Sequence, residues 1–250
     1  MLPTPTMYRS KSSFLPDYLR RAVRVSQMDL ESASWQMVTL CLDPKRVYKQ
    51  TTYHKQTKNQ WARDDPAFTV LCLVFLIVAA VAYTVAFRVP FPGTFLRIVF
   101  GVVVFDFGVV GCVLATVTWT VANKYLRVRA LHSVDQEVEW MYAVDIHCNS
   151  FFPLFLMLYV LQFFLLPFLL SGGFLATLVS DTLFLAALSY YCYITFLGYS
   201  ALPFLENSVY FLYPVGGVII GYIVLLICNV NCTVLALSLY FGTTPPELTS

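Results

Sequence analysis

QTKNQWARDDPAFTVLCLVFLIVAAVAYTVAF, running from Gln56 to Phe87, passes from a basic polar segment to an uncharged apolar one within a few residues. At ~1.5 Å per helical residue, the apolar part from Ala67 is long enough to cross a hydrocarbon core of ~30 Å. Local chemistry sets its start. Asp65 is a good helix N-cap and Pro66 suits a first helical position, where no amide hydrogen is needed. Asp64 and Asp65 then face the positive end of the helix dipole. Trp61 and Arg63 suit a headgroup layer, because an indole has an apolar body with a wet N–H and a guanidinium can snorkel. The chain is therefore expected to enter a membrane at this point.

Working outward, the composition agrees. The 250 residues are 58% hydrophobic and 12% charged, with a mean hydropathy of +0.70, far from the quarter-charged balance of a soluble domain. The reading is an all-α polytopic membrane protein. Eleven of the 16 Lys and Arg residues precede Phe68 and none follows Arg129, so the basic N-terminal end is the one to place in the cytosol. The first residues lack the apolar core and cleavage site of a removed secretory signal. Seven cysteines, an odd number with no C-x-x-C pair, argue against a zinc or redox framework. With three histidines and no H-E-x-x-H, a metalloprotease lacks its ligands. No cofactor is called for.

Residues 1–15 read as a flexible tail. Residues 16–66 read as a cytosolic region of short amphipathic helices. Leu19, Ala22 and Val23 share one face against Arg20, Arg21 and Arg24, which suits an anionic leaflet or a solvated basic helix. Ser26 with Asp29 resembles a capping box ahead of the apolar Trp35 segment. Asp43-Pro44 then starts a second basic helix bearing Lys45, Arg46 and Lys49. Residues 67–241 form the membrane domain, with spans expected at 67–87, 98–122, 151–170, 174–197 and 209–228, and 242–250 form a polar tail. The piece 233–241 is too short to cross. Lys124, Arg127 and Arg129 put the 123–150 loop on the same side as the N-terminus, which agrees with five spans. Asn231-Cys232-Thr233 is a candidate glycosylation sequon. Gly108, Gly111 and Ala115, and the pair Gly217 and Gly221, mark faces expected to lie between helices. Pro167 and Pro214 should bend or end helices locally.

Few residues invite chemistry. Asp106 and Asp181 lie inside apolar runs, where a carboxylate costs about 3 kcal/mol or more on insertion scales. One reading is an ion or proton path; the preferred one is polar packing between helices, with Thr116, Thr118, Tyr190 or Gln162 as partners. The 123–150 loop offers His132, Asp135, Glu137, Glu139, Asp145, His147 and Cys148, without a diagnostic catalytic or metal spacing. It reads better as a contact surface with Trp140 and Tyr142 at the interface. The basic N-terminal residues with Tyr18, Tyr48 and Tyr53 also admit RNA, but no RNA-binding signature accompanies them and anionic lipid is the nearer polyanion. Lipid or partner contacts are thus expected at Arg20, Arg21, Arg24, Trp35, Lys45, Arg46, Lys55, Lys58, Trp61, Arg63, Trp140 and Tyr142.

Taken together, YLRR from Tyr18, QMDLE from Gln27, WQM at Trp35, P-x-RVY from Pro44 and KQTKNQWARDDPAF from Lys55 resemble the Unc-fifty (UNCL) family of Golgi and endoplasmic-reticulum membrane proteins. NKYL from Asn123, DQEVEWMYAVDIHCNSFFPL from Asp135 and YYCYITFLGYSALPFLENS from Tyr190 extend the resemblance to about Tyr240. It implies five spans, a cytosolic N-terminus and a role in early secretory transport rather than catalysis. It also implies association with Golgi exchange factors for Arf GTPases, with surface delivery of receptor cargo and, more weakly, with RNA. The specificity of KQTKNQ exceeds what a plain membrane boundary needs, so Lys55 to Asp65 is expected to pack against the other cytosolic loops.

Overall fold

A computed structural model describes residues 28–58, 60–128 and 136–241, together with Tyr18, Arg21, Ala22 and Arg24; the side chains of residues 54 and 56–58 are not among those described. The proposed tails at 1–15 and 242–250, and Arg20, Ser26, His132, Asp135 and the Lys58 side chain, lie outside the described residues.

Two short helices open the described chain: α1, Leu30–Leu42, and α2, Pro44–Lys58. Asp29, not Ser26, caps α1, its carboxylate accepting from the Ser32 N–H at 2.9 Å. Five helices long and apolar enough to cross a membrane follow: α3, Ala67–Ala86; α4, Gly93–Leu126; α5, Trp140–Leu169; α6, Phe174–Ser200; and α7, Ser208–Ile227. The chain is an all-helical, multi-pass membrane protein. A shorter apolar helix, α8, Cys232–Phe241, completes it. Short connections make successive spans run in alternate directions, and α5 lies centrally, packed along α4 and α6 and touching α1 and α3. The helices α1 and α2 sit at the end of the bundle where α3, α5 and α7 begin, here the capped end.

Three of the spans differ from their expected limits by more than a residue. The helix α4 starts five residues before 98 and continues to Leu126, with π-helical turns at Gly101–Val109 and Ala122–Leu126. The helix α6 runs on past 197 to Ser200. The largest departure is in α5, which begins at Trp140, so Trp140 to Ser150 are helical turns, mostly buried from Tyr142 onward, and not a loop. Pro167 does not end α5, which continues to Leu169, whereas Pro214 opens the regular α-helical part of α7.

Small residues behave unequally. A Cβ built on Gly111 would lie 2.3 Å from His147 Nε2, so this glycine lets α4 and α5 approach closely. Ala115, one turn on, is also buried. Gly108 meets nothing closer than the Val103 carbonyl of its own helix, at 3.6 Å. The expectation for Gly217 and Gly221 is overturned: neither has a neighbour within 4 Å of an added Cβ, and α7 buries none of its regular helical residues. The spacing of small residues permits close packing but does not by itself supply a partner helix.

The carboxylates of Asp106, half-buried, and Asp181, buried, are packing groups with partners other than those expected. Asp106 Oδ2 accepts from the Tyr159 hydroxyl at 3.1 Å and from the Tyr240 hydroxyl, joining α4, α5 and α8. Asp181 Oδ1 accepts from the Cys232 N–H at 2.9 Å. The next two N–H groups of α8 go to Ser180 Oγ, at 2.9 Å from Thr233, and to Asn231 Oδ1, at 3.1 Å from Val234. Three orphan donors of one helix start are thereby satisfied. The Asn231 amide nitrogen donates to the Leu169 carbonyl at 3.0 Å. In the folded protein Asn231 thus caps the start of α8 with its oxygen and ties it to the end of α5 with its nitrogen.

Two outcomes are expected in thermal unfolding of the purified protein. Asp181→Ala, which strands a backbone donor, should cost about 1–3 kcal/mol, and Asp181→Asn, which keeps an acceptor, less than half of that; equal losses would contradict the capping role. Gly111→Ala should lower stability by about 1–3 kcal/mol through overpacking against His147. Gly217→Ala should be neutral or raise it by up to about 1 kcal/mol, and the reverse ranking would contradict the assignment of faces.

Candidate functional site

The capped end is built around Gln60 to Asp65, the polar half of the boundary stretch. These residues belong to no helix, so their main-chain donors must find partners elsewhere. They find them on α5. Glu139, the residue preceding α5, accepts from the Trp61 N–H at 3.3 Å and from the Ala62 N–H at 3.1 Å, one on each carboxylate oxygen. Asp145 Oδ2 accepts from the Arg63 N–H at 2.6 Å. Three successive main-chain donors are therefore taken up by two carboxylates of one helix, and charge-assisted bonds of this kind are about twice as strong as neutral ones. Glu139 also lies at the positive end of the α5 dipole.

Side chains lock the stretch from both sides. The Arg63 guanidinium donates to Asn149 Oδ1 and stacks over the Phe68 ring, its carbon 4.3 Å from the ring centre. Asn149 in turn donates to the Tyr48 hydroxyl of α2 at 3.3 Å. Burial raises the Tyr48 phenol well above its ordinary range, which keeps it neutral. Asp65 joins two helix starts, accepting from the Asp29 N–H at 2.7 Å and from the Ala67 N–H at 3.0 Å. Its capping role is as expected, although the regular helix begins at Ala67, one residue after Pro66. Gln60 donates to Asp64 Oδ1 at 2.6 Å and to the Ala62 carbonyl at 3.0 Å, which closes the turn on itself.

The other connections at this end are tied to the same assembly. Trp61 is 5% exposed and its ring lies 6.2 Å from the rings of Tyr142 and Phe204. The Tyr142 hydroxyl donates to the Gly198 carbonyl at 2.8 Å, within α6. Val138 is held by Asn123, which accepts from its N–H at 2.9 Å and donates to its carbonyl at 3.1 Å. The Trp119 indole donates to that same carbonyl at 2.8 Å. Arg127 pairs antiparallel with Leu205, and its guanidinium bonds Glu137 at 2.9 Å. The expectation that Lys55 to Asp65 packs against other segments of this end is met from Trp61 to Asp65, while Lys55 and Gln60 contact residues of the stretch itself.

Several expected surface contacts are corrected by this geometry. Trp61 and Tyr142 are buried within the protein rather than presented outward, and the half-buried Arg63 directs its guanidinium to Asn149. Trp140 does stay at the surface, 38% exposed, with its indole on Thr116 at 3.1 Å. The Trp35 segment turns Ala33, Met37 and Leu40 into the protein core and keeps Val38 and Leu42 outside. Tyr190 donates to the Leu40 carbonyl at 2.9 Å, anchoring the end of α1 on α6. Outward remain Arg24, Lys45, Arg46 and Lys49, with Arg46 over the Trp35 ring at 5.4 Å and Lys55 over the Trp61 ring at 5.5 Å. The Arg21 guanidinium reaches the Asp64 carbonyl at 3.4 Å, bringing the YLRR segment onto the same assembly. Asp145, expected in a loop, and Asn149 are central to the site. Their signal was a cluster of polar residues directly before an apolar run.

Between α1, α2 and the boundary stretch lies a polar cleft of about 300 Å³, lined among others by Asp29, Gln36, Arg63, Asp64 and Asp65. No group of three or more His, Cys, Asp or Glu side chains among the described residues is placed to hold a metal ion. His147 instead bonds the Tyr191 hydroxyl through Nδ1 at 2.8 Å, and Cys148 is buried beside Thr69 at 3.7 Å. The arrangement can present a fixed surface, and its carboxylates are already engaged by main-chain donors.

Comparison with known proteins agrees with this architecture. A model of the UNC-50 family matches residues 18–241. The chain is similar to a protein unc-50 homolog of Dictyostelium discoideum, 52% identical over 229 residues, covering 91% of this chain and 88% of that protein. It is 47% identical over 206 residues to the human protein unc-50 homolog, covering 82% of this chain and 78% of the relative. To the Xenopus laevis protein unc-50 homolog A it is 45% identical over 217 residues, covering 86% and 83%. No solved structure matches significantly. With a family match across nearly the whole described chain and relatives of this identity, the chain belongs to the UNC-50 family.

Proposed function

We propose that this protein is a non-enzymatic trafficking factor of the early secretory pathway, resident in Golgi or endoplasmic-reticulum membranes. Its capped end faces the cytosol and serves vesicular transport and surface delivery of membrane proteins by docking a soluble partner. The observation that carries this reading is the construction of α2. Its inner face, Val47 and Tyr48, is fixed in the protein, while Lys45, Arg46 and Lys49 point outward on a helix that contains no acidic residue. A basic face held rigid beside the bilayer suits an anionic leaflet or an acidic protein surface. Orientation with this end in the cytosol follows from the same basic residues.

The partners this reading favours are anionic lipid, an Arf exchange factor of the Golgi, and receptor cargo. An RNA partner draws on the same basic residues and gains nothing specific from their arrangement. A carrier using Asp106 and Asp181 is disfavoured, since the two carboxylates share no partner: one holds the tyrosines of α5 and α8, and the other caps α8.

Proximity labelling from the N-terminus in cells, with wild type beside Lys45→Glu, Arg46→Glu and Lys49→Glu combined, tests the proposal. Coat and exchange-factor neighbours should be labelled by wild type and reduced about tenfold or more by the charge reversal, at unchanged protein abundance. A cytosolic neighbourhood without such proteins, or one indifferent to the reversal, would overturn it.

A further inference from the structure

A second, larger cavity of about 470 Å³ lies inside the bundle, on the face of α5 between α4 and α6. At the capped end α4 and α6 are joined by the bond from the Tyr199 hydroxyl to Thr118, 2.9 Å long, and at the other end α8 lies over the opening. Between these closures α4 and α6 each pack along α5 without packing extensively on one another. Val110 and Leu114 of α4 and Leu188 of α6 line the cavity, and each is also more than a third exposed on the outer surface of the bundle. Its mouth therefore opens sideways, at the depth of the hydrocarbon.

The cavity is polar at its two ends: at one stands His147, whose Nδ1 bonds Tyr191 and whose Nε2 is packed against Gly111, and at the other the cluster around Asp106. Along α5 it runs from His147 to Gln162, about 22 Å at helical rise, somewhat more than the ~15 Å depth of one leaflet. The stretch between is lined by Phe151, Leu154 and Leu158. At the far end stand Asp106 with its two tyrosines, and beside them two buried groups that lack any partner among the described residues: Gln162 Oε1 and the Tyr83 hydroxyl. Gln162 is 4% exposed, and a buried amide oxygen without a donor costs about 1–3 kcal/mol. Both bonds to Asp106 fall on Oδ2, which leaves Oδ1 able to accept. The group missing here is a donor that can also accept from Tyr83. No Lys or Arg lines the cavity, so nothing would neutralise a phosphate.

From this geometry we infer that the cavity binds a membrane lipid whose polar end is a single uncharged hydroxyl. Its apolar body lies along Phe151, Leu154 and Leu158, and its hydroxyl donates to Gln162 Oε1 or Asp106 Oδ1 and accepts from Tyr83. Sterols and diacylglycerols share this chemistry.

The test uses the full chain in phosphatidylcholine nanodiscs with photoreactive, clickable forms of a sterol and of a diacylglycerol, and maps the labelled peptides. At least one probe should label α5 or α8. Its unlabelled parent should compete about tenfold or more better than the corresponding methyl ether, which cannot donate. Gln162→Leu, which removes an unpaired acceptor and so should not lower the melting temperature, should reduce labelling about tenfold, and Leu158→Trp should abolish it. Labelling by one probe identifies the source of the hydroxyl. Absence of labelling by both, equal competition by the ether, or undiminished labelling of Gln162→Leu would overturn the inference.

Discussion

Three consecutive main-chain N–H groups, those of Trp61, Ala62 and Arg63, are received by the carboxylates of Glu139 and Asp145. The geometry of the capped end depends on this interaction. A stretch without secondary structure cannot leave its donors unpaired where water is scarce, since each would cost about 1–3 kcal/mol. Helix α5 supplies the acceptors, and with them it fixes where α3 enters the bundle. Once Arg63 is held, its side chain meets Asn149, Asn149 meets Tyr48, and α2 is tied to the same point. A polar boundary thereby becomes the site at which α1, α2, α3 and α5 are assembled.

The same logic operates at the other end with weaker means. There most acceptors project from within helices: Ser180 and Asp181 of α6, with Asn231, start α8, and Asp106 of α4 receives Tyr159 of α5 and Tyr240 of α8. A short helix that cannot span is thus kept in place by side-chain acceptors at both of its ends. Its position at the cavity distinguishes this end from the capped one, where the described connections pack on one another.

Much of this was legible in the sequence, for identifiable reasons. The five spans announced themselves because apolar runs of that length have few alternatives, and the Asp43-Pro44 and Asp65-Pro66 signals marked helix starts. The first turns of α5 did not. Asp145, His147, Asn149 and Ser150 interrupt the apolar pattern, and their burial is intelligible only with their partners in view: the Arg63 N–H, Tyr191, Tyr48 and Thr195. Trp61 and Tyr142 suited an interface by residue type, yet the same amphipathic chemistry serves a buried site that offers one polar partner. For Gly217 and Gly221 the pattern carried no information about which face has a neighbour. The motif KQTKNQWARDDPAF was the exception. Its specificity points to tertiary contacts, and Trp61, Arg63 and Asp65 make them, whereas Gln60 bonds within its own turn and the side chains of residues 56–58 lie outside those described.

The central claim is that the boundary stretch is held as firmly as a helix by acceptors on α5. Backbone hydrogen exchange of the full chain in a bilayer measures this directly. The account predicts that the amides of Trp61, Ala62 and Arg63 exchange as slowly as those in the first turns of α3, and that Glu139→Ala releases Trp61 and Ala62 while leaving α3 protected. Exchange of these three amides at the rate of an open loop in the wild-type protein would contradict it.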